Sequence, residues 1–301
     1  MTPVQPFSTP ISPTLHALTD QCVQCGLCLT TCPTYGLDPI EAESPRGRIA
    51  LIKALEMGVL APTDKGDRHL DQCLGCGRCE AVCPAGVAYG SILTLSRAHQ
   101  RAHRPIGRTQ RLAEWCGAHP RVLSVLLSVY RQVWPLLPQN LRRLPRPPVS
   151  PSMDGGPSAG EPFLPVNAAL FLGCVARGYD KPLYQAVRRL GIAVGMAVTI
   201  PPDQTCCGSL HAHGGDADQA DALAATNRSA FAGAGTVLSL ASGCHGTLAG
   251  SLQGVAEVRD AIAVFAEHSA RLRFATCRER VALHLPCTQR NVVRSDGALR
   301  A

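Results

Sequence analysis

Fifteen cysteines stand in this 301-residue chain, and eight of them fall into two identical runs. Cys22, Cys25, Cys28 and Cys32, followed by Pro33, are spaced C-x2-C-x2-C-x3-C-P. Cys73, Cys76, Cys79 and Cys83, followed by Pro84, repeat the pattern. Two-residue gaps let a tight loop wrap three thiolates around one face of an iron–sulfur cube. Small residues (Gly26, Gly75, Gly77) let backbone amides approach the sulfurs and stabilise their charge. In two-cluster proteins the fourth cysteine of such a run serves the other cluster. The expected ligand sets are Cys22, Cys25, Cys28 and Cys83 for one [4Fe–4S] cluster, and Cys73, Cys76, Cys79 and Cys32 for a second. Structural zinc is the rival chemistry. Zinc sites pair two C-x-x-C units across a longer spacer, however, rather than crowding four cysteines into eleven residues.

A second constellation lies further on. Cys206 and Cys207 precede Gly208, with 31 residues between Cys174 and Cys206 and 36 between Cys207 and Cys244. Glycine gives a Cys-Cys-Gly turn the backbone freedom to aim adjacent thiolates at one place. Cys174, Cys206, Cys207 and Cys244 are therefore a further candidate metal or redox site, the alternative being buried cysteines that merely pack. Cys116 and Cys277 read as free, packed thiols. His211 and His213 read as polar loop residues and His284 as a core histidine.

The elements that must position these residues follow from proline, glycine and apolar spacing. Residues 1–13 hold four prolines and read as a disordered tail; residues 145–165 hold seven and read as an extended linker. Between them lie a helical two-cluster ferredoxin domain at 14–110 and a helical connector at 111–144. Ser44 and Pro45 predict a helix start and Gly58 its stop; further helices are expected at 90–103 and 111–134. Residues 166–301 alternate apolar strands (168–172, 198–200, 236–241, 281–285) with helical patterns (181–190, 216–232). That alternation predicts an α/β domain with a parallel sheet. Strands running into Cys174, Cys244 and Cys287 place these cysteines at strand ends, where open α/β sheets build their sites. The fold class is thus α followed by α/β.

Composition sets the limits. A +7 net charge is modest, and eight thiolates around two clusters would offset about half of it. Aromatics at 4% count against a base-stacking surface, so no nucleic acid partner is expected. No signal peptide is legible, the longest apolar stretch (122–138) is short for a membrane span, and the odd cysteine count argues against a disulfide framework. A reducing, cytoplasmic setting is expected. Arg97, Arg101, Arg104, Arg108 and Arg111 form a basic stretch that fits an acidic partner, anionic lipid or plain solvation equally. The apolar helix beside it is expected to pack internally. GGDAD at 214–218 lacks a dinucleotide fingerprint.

The motifs together resemble a family. CVQCGLCLTTCPTYGL, ESPRGRIALIKALEMG and LDQCLGCGRCEAVCPAGVAYG are similar to the iron–sulfur subunit of bacterial glycolate oxidase (glycolate dehydrogenase). ALFLGC, TCCGSLHAH, ASGCHG and HLPCTQR resemble the cysteine-rich domain it shares with heterodisulfide reductase. The resemblance implies a subunit that passes electrons from flavoprotein subunits, which oxidise glycolate to glyoxylate, toward a quinone-type acceptor. It implies no catalysis by this chain alone, and it allows contact at the cytoplasmic face of the inner membrane. The alternatives are a subunit of a lactate or anaerobic glycerol-3-phosphate dehydrogenase, and a heterodisulfide-reductase-like thiol–disulfide catalyst. Two departures stand out. Thr247 occupies the place of a closing cysteine, and a second repeat opening at Cys287 would need to reach about residue 357. The reading is a truncated frame or a shortened paralogue with its second repeat incomplete.

Overall fold

In the computed structural model, which describes residues 13–149, 166–276 and 278–300, the chain divides into two units. One contains the described residues up to Pro105 together with Ala212–Asp216; the other contains those from Ile106 to His211 and from Ala217 onward. The expected tail lies outside the described residues except for Pro13. The expected linker does so from residue 150, and residues 145–149 have no regular structure.

The first unit is built from α1 (Pro13–Asp20), α2 (Pro33–Leu37), a 3-10 turn at Glu41–Glu43, α3 (Pro45–Glu56), α4 (Asp64–Asp71), α5 (Arg78–Ala81) and α6 (Tyr89–His103). Ser44 caps α3 by accepting the Gly47 N–H at 2.9 Å, and Pro45 fills the first helical position, where a missing donor costs nothing. Leu15, Ile49, Ile52, Leu70, Ile92 and Leu93 from α1, α3, α4 and α6 form the core, and Cys22, Cys73, Cys79 and Cys83 pack against it. Gly47 is required for a close approach. A Cβ there would lie 1.9 Å from the Glu41 carbonyl oxygen, so only glycine lets the 3-10 turn lie against α3.

The single helix expected over 111–134 is two, α7 (Arg108–Ala118) and α8 (Pro120–Val133). His119 breaks them because the residue before a proline is driven out of the helical region. The expectation that α8 packs internally is also corrected. It buries Pro120 and Leu127 but exposes Val122, Val125, Leu126, Val129 and Val133.

The rest of the second unit runs β1 (Val166–Leu170), α9 (Ala176–Tyr179), α10 (Lys181–Ala193), β2 (Met196–Thr199), α11 (Ser209–His213), α12 (Ala217–Ala230), β3 (Thr236–Ser239), α13 (Ser242–Ser251), β4 (Glu257–Asp260), α14 (Ala261–Glu267), a π-turn at Gln289–Val293 and α15 (Asp296–Arg300). Of these, the end of α11 belongs with the first unit. The four strands are parallel in the order β2-β1-β3-β4. Successive β1 side chains alternate between faces. Ala168 and Leu170 join Tyr184, Val187 and Val264, whereas Ala169 joins Leu223, Phe231, Val237 and Leu248.

The strand expected at 281–285 does not form, and β4 takes the sheet edge instead. Val281, Leu283 and His284 are exposed, so His284 is no core histidine. An edge strand with three charged residues of four, Glu257–Asp260, carries one apolar side chain and leaves little hydrophobic signal to read.

Gly191 sits inside α10 facing β2. A Cβ there would stand 2.6 Å from Val198 Cγ2 and 2.9 Å from the Met196 carbonyl oxygen. Helix propensity alone would make alanine about 1 kcal/mol better, but overpacking costs about 1–3 kcal/mol. Gly191→Ala should therefore lower the urea midpoint of the chain; a raised midpoint would contradict this packing.

Candidate functional site

Both N-terminal cysteine runs fold into the same loop shape. Gln24 (φ 57°) and Gly26 (φ 84°) in the first run match Gly75 (φ 60°) and Gly77 (φ 69°) in the second, position for position. Left-handed backbone at these points curls the C-x-x-C segments of both runs in the same way. Gln24 lacks glycine's freedom there, which costs about 1–2 kcal/mol. The guanidinium of Arg46 holds it by donating from Nη1 to the Gln24 carbonyl at 3.1 Å.

Cys22, Cys25, Cys28 and Cys83 line one cavity, together with Cys79 and an otherwise mostly apolar wall that includes Val23, Leu27, Pro45, Ile49 and Val87. Burial, then the charges of Cys22 and Cys25, pushes the Cys28 thiol up against the pull of the Arg46 backbone N–H. Burial pushes Cys79 up further, helped by Cys73, Glu80 and Cys76. Thiolates gathered this closely in so apolar a place need a cationic core to stay ionised. The donor set fits iron–sulfur clusters on that ground.

Cys32 lies 3.2 Å from Thr34 Oγ1 and 3.8 Å from the Glu43 carbonyl oxygen. Arg48, only 1% exposed, gathers the surrounding chain. It donates from Nη1 to Thr34 Oγ1 (2.9 Å) and the Glu43 carbonyl (2.6 Å), from Nη2 to the Glu43 carboxylate (2.5 Å), and from Nε to the His69 carbonyl (2.7 Å). His69 Nδ1 meets the same carboxylate at 2.6 Å. One guanidinium thus joins the Cys32 loop to the end of α4, which leads into Cys73. The Tyr89 hydroxyl donates to Cys73 Sγ at 3.6 Å, and Arg97 donates to its carbonyl at 3.2 Å.

The basic stretch is largely consumed inside the first unit. Besides Arg97, Arg101 pairs with Asp216 at 2.7 Å and Arg104 with Asp71 at 2.5 Å. Arg48 and its pairing with Glu43 were not singled out from the sequence. The signal was present in the E-A-E-S-P-R-G-R order, which offers two acid–base pairs five residues apart.

In the second unit Cys174 follows β1, Cys206 and Cys207 follow β2, and Cys244 stands in the first turn of α13 after β3. These are the carboxyl ends of strands around the β1/β3 switch point. Cys174 and Cys206 sulfurs are 3.6 Å apart. The hydrogen bond to Cys206 and then burial raise the Cys174 thiol. Cys206 is drawn down by Cys174, but its bond with Cys207 and burial leave it raised to about 11. Cys207 is drawn down by Cys206, but Cys244 and burial leave it raised to about 12. Cys207 Sγ in turn accepts the Ser209 N–H at 3.4 Å. Gln204 and Asn227 hold the turn between β2 and α11. Leu172 donates its N–H to Gln204 Oε1 at 2.7 Å, and Asn227 accepts from Thr205 N–H (2.9 Å) while donating to the Cys206 carbonyl (2.8 Å).

Some expected residues fall elsewhere. His211 and His213 are in helix α11 rather than a loop, and burial followed by the Arg97 charge lowers His213. Cys116 is half-buried in α7, Cys287 is half-buried with no strand before it, and Cys277 lies outside the described residues.

Comparison with known proteins agrees with this chemistry. Residues 19–87 match the 4Fe-4S dicluster domain and residues 168–249 the cysteine-rich domain. The chain is 30% identical over 301 residues to the glycolate oxidase iron-sulfur subunit of Escherichia coli (strain K12), covering 92% of this chain and 72% of that protein. The chain belongs to this family. It is 35% identical over 257 residues to the probable glycolate oxidase iron-sulfur subunit of Bacillus subtilis (strain 168), covering 74% of this chain and 56% of the relative. It therefore spans little more than half the length of that relative. A fumarate reductase (CoM/CoB) subunit of Methanothermobacter marburgensis is 24% identical over 287 residues, covering 92% of this chain and 52% of that one. No solved structure matches. As a family member with a dicluster domain, the chain binds two [4Fe–4S] clusters, and its cysteine-rich domain points to a further iron–sulfur site.

Breaking one side of a buried ion pair costs about 3–5 kcal/mol because the other charge is stranded. Arg48→Met, which leaves Glu43 (side chain 6% exposed) without its guanidinium, should show that loss in guanidinium chloride unfolding. Arg48→Lys, which keeps the charge without the fork, should recover only part of it.

Proposed function

We propose that the chain is the electron-transfer subunit of a glycolate-oxidising complex, taking electrons from flavoprotein subunits and passing them toward a quinone-type acceptor. The observation that carries this reading is the seating of both cysteine runs on one helical core, with residues of both, Cys79 and Cys83 beside Cys22, Cys25 and Cys28, at one cavity. That arrangement supports the interleaved ligand sets: Cys22, Cys25, Cys28 and Cys83 for one cluster, Cys73, Cys76, Cys79 and Cys32 for the other. When bound, each cluster accepts and releases a single electron. Clusters that exchange a ligand are necessarily neighbours, which suits a flavin that gives up two electrons one at a time. Cys174, Cys206, Cys207 and Cys244 would hold the further iron–sulfur site at the sheet's switch point.

A peripheral membrane surface belongs to this reading. Among the described residues no helix is long and apolar enough to cross a membrane. α8 nevertheless exposes Val122, Val125, Leu126, Val129 and Val133 in one helical stripe, continued by Leu136. Between Glu114 and Asp154 the chain has no acidic residue but carries Arg121, Arg131, Arg142, Arg143 and Arg146. An apolar stripe with cationic flanks suits an anionic lipid surface.

Two measurements test the reading. In complexes co-expressed with glycolate oxidase flavoprotein subunits, Cys76→Ser should abolish glycolate-driven dye or quinone reduction. In the interleaved scheme Cys25→Ser and Cys83→Ser should disturb one low-temperature paramagnetic signal, and Cys76→Ser and Cys32→Ser the other. Signals grouped by run would reject the exchange, and zinc in anaerobic material would reject the clusters. At the membrane, the chain should sediment with vesicles containing phosphatidylglycerol and not with phosphatidylcholine alone. Val125→Glu should weaken that binding about tenfold, the loss expected for one buried valine.

A further inference from the structure

Arg46 and Arg48 begin α3 two residues apart, so their side chains leave the helix about 200° from one another. Each has its own acid from the preceding 3-10 turn. Arg46 grips Glu41 with a two-pronged contact, Nε to Oε1 at 2.7 Å and Nη2 to Oε2 at 3.2 Å. Arg48 grips Glu43. Gly47 between them is what lets that turn lie close enough for both pairs to form.

The two arginines face different ligand sets. Arg46 lines the cavity of Cys22, Cys25, Cys28 and Cys83 and is bonded to the Gln24 carbonyl within that loop. A Cβ on Gly26 would come within 2.9 Å of Arg46 Nη1, so the guanidinium lies directly on the loop. Arg48 is buried against Thr34, the neighbour of Cys32, and against the His69 carbonyl at the approach to Cys73.

We propose that the Pro45–Arg48 segment serves both clusters separately. Arg46, with Glu41, sets the reduction potential of the cluster held by Cys22, Cys25, Cys28 and Cys83. Arg48, with Glu43, positions Cys32 for the other cluster. The inference rests on the ligand sets proposed above. An electron arriving beside a cation is stabilised, and one arriving beside an uncompensated carboxylate is disfavoured. Arg46 is partly exposed (28%), and its partner is more so (53%), so their charges can be removed one at a time without opening the core. Arg48 and Glu43, touching and buried, cancel at a distance; what remains is their grip on the chain. Arg46 is thus a potential-setting residue and Arg48 a positioning residue.

The test uses the whole chain, anaerobically reconstituted, with dithionite as the electron donor. Potentials are read by low-temperature paramagnetic resonance beside iron and sulfide content, and Cys25→Ser marks the signal of the first cluster. Arg46→Gln should retain full iron and lower that cluster's potential by about 59 mV or more, a tenfold shift in a one-electron equilibrium. Glu41→Gln should raise the same potential, and neither should move the second. A merely structural role would not produce opposite signs. Arg48→Lys should lose iron from the second cluster while the first potential stays in place. Unmoved potentials in Arg46→Gln and Glu41→Gln at full iron content, shifts of the same sign, or equal iron loss from both clusters in Arg48→Lys would overturn the proposal. A wild-type chain with zinc or with fewer than two clusters would remove the ligand sets themselves, and that result is visible before any variant is made.

Discussion

Sulfur gathered in an apolar place cannot hold its negative charge unless something cationic stands among the thiolates. Cys28 and Cys79 show this cost directly, since burial and neighbouring sulfurs both push their thiols toward the neutral form. The same tension recurs in the second unit, where Cys206 and Cys207 are raised to about 11 and about 12. A metal core relieves it, and metal binding then becomes part of what stabilises the unit that holds the two clusters. Much of the remaining structure follows from this demand: left-handed loop positions curl the C-x-x-C segments, and helices or strand ends supply fixed walls behind them.

The two units answer the demand with different geometry. Helices of the first unit meet in a small core that carries the cysteine loops on its surface, with Ile49 both in that core and in the cavity wall. In the second, the parallel order β2-β1-β3-β4 sends the crossovers that leave β1 and β3 in opposite directions and opens a crevice at the strand ends. Gln204 and Asn227 then satisfy the irregular backbone around the Cys-Cys-Gly turn, which would otherwise leave buried donors and acceptors unpaired.

Much of this was legible from residue order. Cysteine spacing, the Ser44–Pro45 helix start and the strand–helix alternation are local signals, carried by neighbours in sequence. What escaped depends on distant partners. The 281–285 run has strand-like residues but forms no strand, whereas β4, charged at three of its four positions, pairs along its whole length with β3. Pro120 split a helix whose apolar pattern read as continuous. Arginines that looked like a surface stripe proved to be tied to Asp71, Asp216 and the Cys73 carbonyl.

The order of residues alone therefore determined the kind of chemistry, because iron–sulfur ligation depends on short-range spacing that any folded context must respect. It also determined the two-part fold class, since helical patterns alone in the first half give way to short apolar runs interspersed with helical patterns in the second. Only the tertiary structure decided which charges stand beside which sulfurs. Thr34, Glu43, Arg48 and His69 meet because helices and loops pack through a shared core, and the strength of a buried charge contact depends on that three-dimensional closeness rather than on position in the chain.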